Sequence, residues 1–214
     1  WVFTASARGR LGAPVVGLLT AGAFLVVGIW GAESWRQSRL WRDSETLWRW
    51  AVDVDPDCAL CHNNLGSVIL ETPPYSPLRA SLAERHFREA IRLHPERPNP
   101  YHNLGAALAV QKRYPEAEAA FRAFIEKYPE TPAGRGSLGV LLIEQKRYAE
   151  AVPVLRAALS MIPNSRELKI ALATALRARA QEMTGSEQRQ DAAALAQEAR
   201  TLEAEAQRST TSAR

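Results

Sequence analysis

The chain has 214 residues, 46% of them hydrophobic, and its 27 basic and 23 acidic side chains leave a net charge of +4. That length allows a sizeable core, and charges intermixed along the chain describe solvated faces, not the basic stripe of a nucleic-acid surface, so no nucleic-acid partner is expected. No Gly-rich phosphate loop, His-Glu-x-x-His pair or Ser/His/Asp order stands out, and His86, His94 and His102 are too scattered for a metal site, so neither catalytic residues nor a cofactor is expected.

Residues 1–10 read as a cut loop, because the first residue is Trp1 and not Met. From Leu11 to Ala32 no charge occurs, and Val15, Val16, Leu18, Leu19, Phe24, Leu25, Val26, Val27 and Ile29 dominate. A helix of that length spans roughly 30 Å of hydrocarbon. Arg8, Arg10, Trp30, Trp35, Arg36 and Arg39 flank it as basic and aromatic anchors, so a transmembrane helix in contact with lipid is expected at 11–32. A cleavable signal peptide fits less well, since the run exceeds the usual ~7 to 15 residues. A buried helix of a soluble array fails for want of a polar face. Counted literally, Arg36, Arg39, Arg42 and Arg49 would draw the C-terminal side of this span toward the cytoplasm.

Residues 33–57 read as a juxtamembrane helix and half a repeat, because Trp48, Ala51 and Pro56 stand at the offsets of Phe87, Ala90 and Pro95. Three full units come next at 58–97, 98–131 and 132–165, marked by Leu65-Gly66, Leu104-Gly105 and Leu138-Gly139. Each Gly is followed by an Ala (Ala83, Ala117, Ala151), then Phe87, Phe121 or Leu155, and a closing Pro95, Pro129 or Pro163. Small residues let two helices approach to about 8 Å, and the Pro ends each pair. The glycines are 39 and then 34 residues apart, the surplus lying in the Pro-rich turn from Glu71 to Pro77. A period of 34 with this order resembles the tetratricopeptide repeat, a stack of helical hairpins. The expected fold is all-α: a helical-hairpin solenoid preceded by one transmembrane helix. A degenerate capping pair is expected at 166–207, broken near Thr184-Gly185-Ser186, with a disordered tail at 208–214.

The junction Trp35-Arg-Gln-Ser-Arg-Leu-Trp41-Arg-Asp-Ser-Glu-Thr-Leu-Trp48, followed by Asp55-Pro56-Asp57 and His62-Asn63-Asn64-Leu65-Gly66, resembles the C-terminal part of transmembrane-and-TPR O-mannosyltransferase-like proteins. The likeness covers about 12–163. It implies that 11–32 is the last of many membrane helices and that the repeats are extracytoplasmic, in the periplasm or ER lumen, against the literal Arg count. In that family the catalytic acidic residues lie near the first membrane helices, outside this chain, so the resemblance implies no enzyme activity for it alone.

Cys58-Ala-Leu-Cys61-His62 matches the attachment motif of c-type haem. Three readings stand: haem on Cys58, Cys61 and His62, a local disulfide between Cys58 and Cys61, or two ordinary small residues. The register weighs against haem, since His62 takes the place of Tyr101 in the next unit.

In a hairpin stack the first helix of each pair lines the concave face. Asn64 and Asn103 share one slot there, with Ser137 in the third unit. Side-chain amides in a column can pair with the backbone of an extended peptide; they can equally bond within the array. Asn63 and His102 stand one residue earlier, and Ser67 and Ala106 come one turn later, answered in the third unit by Gly136 and Val140. These residues are the candidate peptide groove, smoother and more apolar in the third unit. A clamp for a C-terminal carboxylate is disfavoured, because Lys and Arg are absent from these slots. The expected function is a membrane-anchored protein-interaction module, the polypeptide-binding tail of a glycosyltransferase-like protein; a stand-alone membrane-tethered scaffold and a redox or haem protein are the alternatives.

Overall fold

The computed structural model describes residues 43–183 and 188–211, together with Trp30. The loop at 1–10 and, Trp30 apart, the span expected at 11–32 lie outside the described residues. Among the described residues no helix is long and apolar enough to cross a membrane. Nine helices and no strand occur among them: α1 Ser44–Val54, α2 Ala59–Glu71, α3 Pro77–Leu93, α4 Pro98–Val110, α5 Tyr114–Lys127, α6 Pro132–Glu144, α7 Tyr148–Met161, α8 Arg166–Glu182 and α9 Arg189–Thr211. The last helix runs on into the segment expected to be disordered.

Local chemistry sets the helix starts. Asp43, Ser76 and Ser165 each accept the backbone N–H three residues on, and proline stands in the first turn of α3, α4, α5 and α6. α4 and α6 end alike, in Gln111-Lys112-Arg113 and Gln145-Lys146-Arg147. Lys112 and Lys146 take the left-handed conformation, at φ 59 and 60°. Arg113 N donates to Leu108 O and Lys112 N to Ala109 O, and Arg147 and Lys146 repeat both bonds on Leu142 and Ile143. This is the Schellman pattern with lysine where glycine is usual.

Helices pair as α2/α3, α4/α5, α6/α7 and α8/α9, each pair packs on the next, and α2, α4, α6 and α8 touch in succession to form one face. Within each hairpin the Gly of Leu-Gly lies against the large residue of the second helix. A Cβ on Gly66 would come within 2.7 Å of the Phe87 ring, one on Gly105 within 2.6 Å of Phe121, and one on Gly139 would strike Leu155. Ala83, Ala117 and Ala151 are fully buried beside them. The core runs along the axis, and Trp48 and Val52 of α1 cover its first cluster of Leu65, Ile69, Ala83, Phe87 and Ala107. The extra residues of the first unit are shared between turn and helix. The turn 72–76 is longer than 111–113, and α3 has 17 residues where α5 has 14.

A periodic ion-pair ladder joins the hairpins. Glu45 accepts Arg79 at 2.7 Å, Glu84 accepts Arg113 at 2.8 Å and Glu118 accepts Arg147 at 2.5 Å. Each glutamate also holds the arginine one turn on, Arg49, Arg88 and Arg122. α1 thus sits in register as a second helix whose first helix is not among the described ones. Arg79 and Arg49 hold the Glu45 carboxyl below its ordinary range against the effect of burial, and Arg147 and Arg122 do so for Glu118. Burial works to raise Glu84, but Gln111, Arg88 and Arg113 outweigh it and its pKa is also lowered.

Candidate functional site

The concave face presents the predicted groove residues on α2, α4 and α6, and most of their polar atoms are spent on one another. Asn103 Nδ2 donates to Asn63 Oδ1 at 3.0 Å and to Ser67 Oγ at 3.1 Å. Its Oδ1 is therefore an acceptor, which makes His102 Nδ1 the donor across 3.4 Å. His102 Nε2 then accepts from the Ser137 hydroxyl at 2.8 Å. At the other end Asn63 Nδ2 donates to Asn64 Oδ1 at 3.2 Å. Ser137, His102, Asn103, Asn63 and Asn64 form one directed chain across three helices, so Asn103 is a cross-brace between hairpins and the column of free amides shrinks to Asn64. Burial lowers the His102 pKa, opposed by its bond to Asn103, so the ring is neutral at pH 7.

Beyond this network the face opens into a cavity of about 450 Å³ between α4, α6 and α8. His102, Ala106, Ser137 and Val140 line it, whereas Asn63, Asn64, Ser67 and Asn103 do not. Its walls include Phe121, Leu141 and Leu168, its small residues Ala109, Ala133, Gly136 and Ala171, and its charges Glu144 and Glu167. Val140 is 46% exposed. Sequence reasoning missed Glu144 and Glu167. The signal was the same register extended, since Glu144 stands 34 residues after Val110 and Glu167 stands 34 after Ala133. Asn63 lines a separate cavity of about 110 Å³ with Leu60, Arg97 and Asn99.

Cys58 and Cys61 are joined by a disulfide with Cα atoms 5.2 Å apart. Of the three readings of the motif, the structure adopts the local disulfide, which leaves neither sulfur as a free thiol for haem attachment. Cys58 caps α2, its Sγ accepting Cys61 N at 3.1 Å. His62 Nε2 donates to Pro56 O at 3.0 Å. In the next units Tyr101 Oη donates to Pro95 O at 2.8 Å and Arg135 to Pro129 O at 2.5 Å. Three different side chains at one repeat position thus satisfy the carbonyl of the proline that closes the preceding helix, which accounts for His62 without iron. With Nε2 donating, His62 Nδ1 accepts from His86 Nδ1 at 3.0 Å. Burial and the neighbouring His62 push the His86 pKa down to about 4.

Antiparallel helix pairs stacked so that their first helices share a continuous concave face define a helical-repeat solenoid. Residues 79–130 and 102–166 match the tetratricopeptide repeat family, and the fold is a tetratricopeptide-type solenoid. Among solved structures the chain is similar to MamA from Desulfovibrio magneticus RS-1, 24% identical over 67% of this chain and 75% of that one, with a TM-score of 0.53. It is also similar to YrrB, described as a TPR protein with an unusual peptide-binding site, 16% identical over 77% and 97% of the two chains with a TM-score of 0.52. A human IFIT1 dimer with m7Gppp-AAAA is 15% identical over 77% of this chain and 38% of its own, with a TM-score of 0.62. These likenesses are of fold, and the fold does not choose among ligands. No curated protein sequence matches the chain.

Proposed function

We propose that the chain is a membrane-held polypeptide-binding module, the repeat tail of a glycosyltransferase-like membrane protein, whose concave groove takes an extended segment of a partner. The observation that carries the groove reading is the apolar cavity on the concave face, where His102, Ala106, Ser137 and Val140 converge. Glu144 and Glu167 give that cavity the wrong charge for a nucleic-acid phosphate. The glycosyltransferase context rests on the Trp-Arg-Asp-Ser junction, and membrane attachment on the apolar run at 11–32. An extracytoplasmic site for the repeats is favoured by the Cys58–Cys61 disulfide, since such bonds persist in oxidising compartments.

A photo-reactive side chain at Val140, in the full chain in its native membrane, forms polypeptide adducts that the same group at Ala119 on α5 does not. Equal labelling at both positions overturns the groove reading. Protease added outside sealed vesicles whose extracytoplasmic face is turned outward cuts the repeats, and full protection overturns the extracytoplasmic placement.

A further inference from the structure

The cavity exists because one repeat lacks a side chain that its neighbours have. Asn63, His102, Gly136 and Ile170 hold the same position on α2, α4, α6 and α8. In the first two units that position is filled by groups tied into the polar chain. Gly136 differs from the packing glycines: a Cβ there would meet only Leu168 Cδ2, at 3.1 Å, the end of a flexible side chain. Its bareness serves no helix approach as tight as those at Gly66 and Gly105; it leaves room beside Val140 and Leu168.

The charges bordering that room are one-sided. Glu144 and Glu167 line it, and among the described residues no Lys or Arg does. Among the described residues Glu167 is held only from within two positions in sequence, by its own backbone N–H, the Ser165 hydroxyl and the charge of Arg166, and Glu144 takes part in no hydrogen bond or ion pair. The ladder carboxylates Glu45, Glu84 and Glu118, by contrast, are each held by two arginines. Glu144 and Glu167 are thus available to a ligand.

Resting on the groove reading above, we infer that the cavity opened by Gly136 is a specificity pocket for a large apolar side chain of a partner polypeptide, with Glu144 and Glu167 receiving a Lys or Arg next to it. The apolar walls supply affinity through area removed from water. The carboxylates supply selection, because an acidic neighbour on the ligand would be repelled. Neutral His102 adds no opposing charge at pH 7.

The probe is a random twelve-residue peptide library displayed on phage and selected against the full chain in detergent, with Gly136→His as a counter-selection. That substitution restores the side chain the preceding unit carries, and Ala106→Phe is a second plug should it fold poorly. Peptides lost on plugging and enriched in Lys or Arg beside Leu, Ile or Phe support the inference. For such a peptide, Glu144→Gln with Glu167→Gln should weaken binding about tenfold, with most of that difference gone in 1 M salt. Plug-sensitive peptides with no basic enrichment overturn the specificity inference and leave the groove reading standing. A selection that yields no plug-sensitive peptide overturns both.

Discussion

Asn103 donates its amide hydrogens to Asn63 and Ser67 on α2 and accepts from His102 at its oxygen, whereas Asn64, in the same slot one unit earlier, only accepts from its neighbour Asn63. Replacing Asn103 by Ala strands the half-buried ends of three partners, and each orphaned polar group costs free energy unless water reaches it. Asn103→Ala should lower stability by about 1–2 kcal/mol, and Asn64→Ala by less than about half of that, on urea unfolding curves. Equal small losses would mean that water substitutes freely and that the chain of bonds does not brace the hairpins. With Asn103 spent on that brace, a peptide-binding role for side-chain amides falls to Asn64 alone.

At the scale of elements, the turns after α4 and α6 carry strain that the helices around them absorb. A left-handed lysine costs about 1–2 kcal/mol relative to glycine, while glycine loses about 0.4–1 kcal/mol through the unfolded chain. Lys112→Gly and Lys146→Gly should each stabilise by about 0.5–1 kcal/mol in chemical denaturation; destabilisation by either would show that the lysine side chain contributes contacts outweighing the strain. The hairpins themselves were legible from sequence, because Leu-Gly, the buried Ala and the closing Pro act within one helix pair and recur at fixed spacing. The Pro-rich stretch was legible as an insertion, and its division could have been read from Ser76-Pro77, an N-cap followed by a first-turn proline, two residues that the turn expected from Glu71 to Pro77 includes. The ion-pair ladder was not legible. Glu84 and Arg113 are 29 residues apart, as are Glu118 and Arg147, and they meet only because consecutive hairpins stack. Half of the groove prediction entered the pocket for the same reason: register placed His102, Ala106, Ser137 and Val140 on one face, but only the packed structure shows which of their neighbours fill the space and which leave it open.

Across the whole molecule, acid acts through two sets of groups. His86, at about 4 in the fold against an ordinary value near 6.5, binds a proton more readily in the unfolded chain. Its contribution to stability is present above about pH 6.5 and drains away as pH falls toward 4. His102 is shifted in the same direction. The ladder carboxylates Glu45, Glu84 and Glu118 are lowered, so their contribution holds above the ordinary carboxylate range and is lost below it, as pH falls through their folded values. Thermal melts should therefore show Tm falling by about 3 °C or more between pH 7 and pH 5. His86→Gln, which keeps a donor for His62, should flatten that first slope and leave the later one. A slope unchanged by this substitution would show that His86 does not drive it.

The joints between hairpins are fastened at both ends of their helices, at one end by the glutamate–arginine ladder and at the other by the bonds to the Pro56, Pro95 and Pro129 carbonyls. The sequence of fastenings stops before the last joint. Where the ladder would continue, α7 has buried Val152, and where the next carbonyl bond would come, Lys169 turns instead to Glu205 of α9. Among the described residues α7 and α8 share neither fastening, and the exposed Arg156–Glu198 pair ties α7 only to α9. That joint is closed instead by apolar packing, since Val152 and Leu155 of α7 share one buried cluster with Leu172, Ala175 and Leu176 of α8. The ladder joints should therefore weaken as salt screens their ion pairs, while the α7/α8 joint beside Leu168, held by burial, should not.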